Sequence, residues 1–238
     1  MTAPHERIII ALDGDYSLDD VARLAGLLSG SVGMLKVGKR LFTRFGPQVL
    51  DVINKKGVSI FLDLKFHDIP NTVAEACAEA VAHKVALINV HASGGRQMML
   101  KAREAIDARS AALGVPRPKL IAVTVLTSLD DEAIREVGFA DRVEGQVRRL
   151  ALLAKECGLD GVVAAPGEAR MIREACGPDF LIVTPGIRPA ALDGDDQKRA
   201  VTPKMAMEMG SDYIVVGRPV IKAPDPVAAA KSIAAEMA

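Results

Sequence analysis

The sequence carries no excess of charge of either sign: across its 238 residues, 30 Lys and Arg balance 30 Asp and Glu. That balance removes the long-range attraction a polyanion binder needs, so nucleic acid is not expected as a partner, whereas a small local basic site is still allowed. No apolar run reaches the roughly 20 residues of a membrane span, and the stretch Met1 to Arg7 lacks the apolar centre of a secretion signal. A soluble, cytoplasmic protein with no membrane contact is expected. Cysteine is scarce: Cys77, Cys157 and Cys176 lie far apart within Ala-rich or apolar helical patterns. Buried, reduced thiols are expected there, not a disulfide or a zinc site. No Pro-, Gly- or Ser-rich linker, composition shift or low-complexity stretch interrupts the chain, so residues 1–238 read as a single domain.

What is present is a large apolar fraction, 50% of residues, enough to bury a sizeable core. It is organised as short β-branched runs, each followed by a longer stretch of helical periodicity. The strand candidates are Arg7 to Asp13, Met34 to Gly38, Ser59 to Phe66, Leu87 to Ala92, Lys119 to Thr127, Gly161 to Ala165, Leu181 to Gly186 and Tyr213 to Arg218. Helix candidates between them include Leu18 to Leu28, Thr72 to His83, Gly95 to Ala108, Arg142 to Glu156 and Pro226 to Met237, with a further short helix within Ser128 to Asp141. Asp13 to Ser17 and Asn71 supply turn or cap chemistry, and Pro203 and Pro226 suit a first helical turn. Runs such as Ile8-Ile9-Ile10-Ala11-Leu12 are apolar on both strand faces, which indicates a parallel sheet. Eight alternating units favour an α/β fold of the closed (β/α)8 TIM-barrel type, with an open doubly wound sheet as the alternative.

In such a barrel, chemistry gathers where strands end at their C-terminal side. Those ends are polar here: Asp13 on the first, Lys36 in the second, Asp63 and Lys65 in the third, His91 on the fourth and Thr127 on the fifth. Asp63 and Lys65 are two apart and so share a face, while Leu64 and Phe66 take the other. A parallel barrel strand has no free solvent face to explain such alternation, and Asp68 follows at the turn. A Lys flanked by carboxylates stays protonated, which argues against a Schiff-base nucleophile and for a proton donor or electrostatic stabiliser. Pro185-Gly186-Ile187-Arg188 and Val216-Gly217-Arg218 place an Arg beside glycine after the last two strands, where barrels bind phosphate. His91, at the end of the fourth strand, is expected to hydrogen-bond inside the barrel, with a functional role as the alternative. His67 with Asp63 and Asp68 is a poor metal set, because Lys65 competes for the carboxylates. Pro189 to Val201, which carries Asp193-Gly194-Asp195-Asp196-Gln197, reads as a gating lid or a solvated insertion.

The run Phe61-Leu62-Asp63-Leu64-Lys65-Phe66-His67-Asp68-Ile69-Pro70-Asn71-Thr72 closely resembles the signature of the orotidine 5′-phosphate decarboxylase family, in its type 1, bacterial-like form. Ala11-Leu12-Asp13, Leu35-Lys36-Val37-Gly38, Val123-Thr124-Val125-Leu126-Thr127, Thr184-Pro185-Gly186-Ile187-Arg188, Gln197 and Val216-Gly217-Arg218 join it in the family's order, so the resemblance spans nearly the whole chain. It implies a homodimeric barrel that converts orotidine 5′-monophosphate to uridine 5′-monophosphate in de novo pyrimidine synthesis, with no cofactor and no metal. By the same resemblance Lys65 protonates C6 and Asp63 lies against the substrate carboxylate. Asp68 and Thr72 reach the neighbouring subunit's site, and Lys36 and Asp13 contact ribose and orient the charged groups. Thr127 reads the pyrimidine, Arg188, Gly217 and Arg218 bind phosphate, and Gln197 bridges phosphate and base from the lid. Two other functions stay open: a magnesium-dependent sugar-phosphate decarboxylase or isomerase on the same barrel, and a non-catalytic nucleotide-phosphate binder.

Overall fold

A computed structural model of the chain describes residues 2–189 and 201–237. Eight parallel strands close into a barrel in sequence order. They are β1 (Ile8–Ala11), β2 (Met34–Gly38), β3 (Ser59–Phe66), β4 (Leu87–His91), β5 (Lys119–Val123), β6 (Gly161–Val163), β7 (Leu181–Thr184) and β8 (Tyr213–Val216). β1 pairs with both β2 and β8, so the sheet has no edge and the open alternative is ruled out. The helices are α1 (Leu18–Leu28), α2 (Lys39–Phe45), α3 (Gln48–Asn54), α4 (Pro70–Ala82), α5 (Gly95–Leu113), α6 (Asp131–Glu136), α7 (Val143–Glu156), α8 (Ala169–Cys176), α9 (Pro203–Glu208), α10 (Arg218–Ile221) and α11 (Pro226–Glu236).

The expected helix starts hold with one correction. Ser17 Oγ accepts from Asp20 N–H while the Asp20 carboxylate accepts from Ser17 N–H, a reciprocal cap for α1. Pro203 and Pro226 open α9 and α11. Asn71, read as a cap, is instead the second residue of α4, because Pro70 takes the first position, where its missing N–H costs nothing. β5 also stops at Val123, four residues short of Thr127, because both neighbours run out there: its last pairs are with His91 of β4 and Val163 of β6. The cysteines are free and buried as expected, and burial pushes the Cys77 thiol up to about 12.

Successive strand residues feed two cores. Ile9, Ala11, Phe61, Leu87, Ile121, Val183 and Val215 fill the barrel interior. Their neighbours, such as Ile8, Ile10, Ile60, Leu62, Ile88 and Val90, pack outward beneath the helices. Both faces are therefore dry, as the near-continuous apolar runs require. Phe61 is the last apolar inward residue of β3; two positions on, the inward place belongs to Asp63.

The N-terminal face is tied by two aspartates in matching positions. Asp160, just before β6, accepts from Leu120 N–H of β5 at 2.8 Å and from Arg117 at 2.5 and 2.9 Å. Asp212, just before β8, accepts from Ile182 N–H of β7 at 2.7 Å and from Arg173 at 2.6 Å. Each carboxylate pairs a strand-end amide that the neighbouring strand cannot reach, and each is neutralised by a guanidinium. Polarity at this end serves stability, whereas the opposite end is left for chemistry.

Candidate active site

At the C-terminal strand ends lies a cleft of about 830 Å³, bounded by Asp13, Lys36, Asp63, Lys65, Thr127, Arg188, Gly217 and Arg218 among others. Its floor is set by β3. Leu62 pairs with Ile88 and Phe66 with Val90, so Asp63, Leu64 and Lys65 stand opposite Asn89 alone. The surplus residues bulge, and Lys65 takes φ of +55°, a left-handed conformation that costs a side-chain-bearing residue about 1–2 kcal/mol. The simple alternation expected of Asp63 and Lys65 is thus broken, yet the two side chains still meet, with Lys65 Nζ 2.5 Å from Asp63 Oδ1. Leu64 and Phe66 pack against the outer core, as expected.

Asp63 is the hub. Its Oδ2 lies 3.1 Å from Lys36 Nζ, and its Oδ1 accepts from Lys65 Nζ at 2.5 Å and from Asn89 Nδ2 at 2.6 Å. Lys36 Nζ also donates to Asp13 Oδ1 at 2.9 Å. The chain of charges therefore runs Asp13, Lys36, Asp63, Lys65, alternating in sign. Burial disfavours the Asp63 carboxylate, but Lys36, Lys65 and the hydrogen bonds from Lys65 and Asn89 outweigh it and hold its pKa below the ordinary value. Burial likewise disfavours the Lys36 ammonium, and Asp63 and Asp13 outweigh it, so its pKa is raised. Both groups are ionised at neutral pH. Gly38 leaves room for this arrangement: a Cβ there would come within 3.0 Å of Asp13 Oδ1 and 3.2 Å of Lys36 Nζ.

Across the cleft Thr127 lies exposed on the loop after β5, while Gly186, with φ of +81°, turns the chain toward Arg188. Gly217 caps α10, so Arg218 opens a helix instead of ending β8. Ile187 bridges Val201, and Arg188 N–H donates to the Val201 carbonyl at 3.1 Å, so the backbone after β7 is held against the residue just before α9. Gln197 lies outside the described residues. Asp68 and Thr72 do not line this cleft; both are exposed, with Asp68 accepting from Ile69 N–H at 2.6 Å and Ile69 itself 67% exposed. His91 is half-buried and makes no hydrogen bond through its ring among the described residues. It packs tilted on His67 with ring centroids 5.3 Å apart. Burial, His67, Lys65 and Lys39 push its pKa down to about 4, so the expected hydrogen bond is replaced by ring packing of a neutral imidazole.

Reading the sequence missed Tyr16 and Arg40 at the cleft mouth and Asn89 beneath it. Arg40 follows Gly38 closely and pairs with Asp15 at 3.5 Å, a local signal that was available. Among the described residues, no group of three or more His, Cys, Asp or Glu is arranged to hold a metal ion.

A closed parallel barrel with ionised groups of alternating sign at its C-terminal strand ends, facing two Arg-bearing glycine turns, is the layout of a barrel enzyme for an anionic substrate. Residues 6–233 match the orotidine 5′-phosphate decarboxylase / HUMPS family. A protein of Moorella thermoacetica named orotidine 5′-phosphate decarboxylase is 54% identical over 236 residues, covering 98% of this chain and 92% of that protein. One of the same name from Geobacter sulfurreducens is 53% identical, covering 98% and 96%. The crystal structure of orotidine 5′-phosphate decarboxylase from Lactobacillus acidophilus superposes with a TM-score of 0.85 at 42% identity, covering 97% of this chain and 98% of that one. The chain belongs to the orotidine 5′-phosphate decarboxylase / HUMPS family.

Proposed function

We infer that this chain, as one barrel domain over residues 1–238, is a carboxy-lyase that converts orotidine 5′-monophosphate to uridine 5′-monophosphate and carbon dioxide, the closing step of de novo pyrimidine synthesis. The observation that carries the reading is Asp63 held between Lys36 and Lys65 on the cleft floor, joined to the names of relatives at 50–54% identity. In the reaction the bond from C6 to the carboxylate carbon breaks and its electron pair stays on C6. Lys65 gives its proton to that pair and is reprotonated from water. The ring delocalises such a carbanion poorly, so a fixed ammonium beside C6 does the work that a cofactor electron sink does elsewhere. Asp63, ionised, lies against the departing carboxylate. Its oxygens are already engaged by Lys36, Lys65 and Asn89, which favours a metal-independent, cofactor-free site.

Asp13 and Lys36 contact the ribose hydroxyls, Thr127 reads the pyrimidine, and Arg188 with Gly217 and Arg218 takes the phosphate, bridged to the base by Gln197. Asp68 and Thr72 serve the other site of a homodimer; their exposure outside the cleft of their own chain supports this. A formal charge of zero speaks against nucleic acid, and no helix among the described residues is long and apolar enough to cross a membrane. We place the enzyme in the cytoplasm. The test is to add orotidine 5′-monophosphate in the presence of a chelator and follow loss of orotate absorbance. Turnover undiminished by chelation is expected. Turnover lost on chelation would point to the magnesium-dependent sugar-phosphate branch, and binding without turnover to a non-catalytic nucleotide binder.

A further inference from the structure

Asn89 is fully buried in the middle of β4 and does not line the cleft, yet it touches both members of the pair that does. Its Oδ1 accepts from the backbone N–H of Lys65 at 2.8 Å, and its Nδ2 donates to Asp63 Oδ1 at 2.6 Å. The orientation of the amide is unambiguous, because an N–H must face the oxygen and a carboxylate must face the NH₂. It sits where β3 has Asp63, Leu64 and Lys65 against Asn89 alone, and so it replaces strand-to-strand hydrogen bonds that the bulge removes. The N–H it captures belongs to the residue with φ of +55°.

We propose that Asn89 is the positioning residue of the site: one neutral amide fixes the left-handed backbone that aims Lys65 and the carboxylate oxygen that Lys65 faces. This rests on the decarboxylation proposed above, with Lys65 as the acid. Only an amide meets both demands. A hydrocarbon leaves the Lys65 N–H and one Asp63 contact unpaired in a dry site, and a carboxylate can accept from Lys65 but cannot donate to Asp63. The charged groups around position 89 are Asp63 and Lys65 on β3, with Lys36 on β2 beyond Asp63 and His91 further along β4. An acid at 89 therefore meets a carboxylate directly, and regains the missing donor when it takes up a proton.

The experiment compares wild type, Asn89→Ala and Asn89→Asp, each first checked for fold by circular dichroism. Measured are kcat with orotidine 5′-monophosphate and the affinity for uridine 5′-monophosphate by calorimetry. Asn89→Ala is expected to lose on the order of 100-fold in kcat, the effect of a misaimed reacting group, while product affinity stays within about threefold. For Asn89→Asp, the deficit in kcat relative to wild type should shrink as the pH falls, because protonation restores the donor. This isosteric variant carries the test if the Ala protein does not fold. A kcat within twofold of wild type, equal losses in kcat and product affinity, or a deficit for the Asp variant that is flat with pH would overturn the role. An inactive wild type would instead refute the proposed reaction, so the two failures are distinct.

Discussion

Asp160→Ala should destabilise the barrel without slowing the enzyme. The carboxylate is only 10% exposed and accepts from both terminal nitrogens of Arg117, from Leu120 N–H and, at 3.4 Å, from Lys119. Lys119 is 56% exposed and rehydrates freely, so its part is small. Arg117 is 26% exposed and recovers some of its hydration. Leu120 is buried, and its N–H is left without its partner, at about 1–3 kcal/mol. Together with the lost bidentate pair, a total of about 3 kcal/mol is expected, toward the lower end for breaking a buried ion pair. For a chain of this length that corresponds to a fall in Tm of about 6–12 °C.

Urea and thermal unfolding followed by circular dichroism would measure this loss. The Asp160 pKa lies below its ordinary value of 3.8, as Arg117 and Leu120 N–H overcome the opposing effect of burial. A depressed carboxylate stabilises the fold fully above its unfolded value, and that contribution disappears as the pH falls through the folded value. The gap between wild type and variant should therefore be widest at pH 7 and narrow as the pH falls below about 3.8. Because Asp160 stands at the N-terminal end of β6, away from the cleft, kcat/KM at 25 °C should be unchanged. A Tm within 1 °C of wild type, or a large loss of kcat/KM in the folded variant, would refute the division of the barrel into a stabilising and a reactive end.

Arg218→Ala should lower kcat/KM for orotidine 5′-monophosphate far more than for the phosphate-free nucleoside, since its proposed partner is the phosphate; equal losses for both would remove Arg218 from the phosphate site. Mixing inactive Lys65→Ala with inactive Asp68→Ala and letting subunits exchange should restore activity. About half the dimers become mixed and each regains one intact site, so on the order of a quarter of wild-type sites return. Mixtures that stay inactive after full exchange would show that Asp68 acts within its own chain.

Much of this was legible in the residues because burial writes itself into patterns. Ile8-Ile9-Ile10-Ala11 is a strand dry on both faces, as its unbroken apolar run indicates, and β2 and β3 have the bounds expected for them. Asp63 and Lys65 were rightly brought together, but the way they meet was hidden. Nothing local marks Lys65 as left-handed, since the amide that pairs its N–H comes from Asn89, 24 residues onward and one strand over. The reading of β5 as far as Thr127 failed for a related reason: Lys119 to Val125 is apolar enough for a strand, and its length is decided by where β4 and β6 stop pairing with it. Likewise His91 looked like a hydrogen-bonding residue until packing set it against His67.

The most direct test of the account is the rate of the Lys65→Ala protein with orotidine 5′-monophosphate, measured beside its affinity for uridine 5′-monophosphate and its Tm. Lys65 lies in a charged network at the cleft, 26% exposed, and is not part of either apolar core. The account predicts a folded protein that still binds the product but no longer turns over substrate. Near-normal turnover in that folded variant would contradict it, because the proton to C6 would then come from another group.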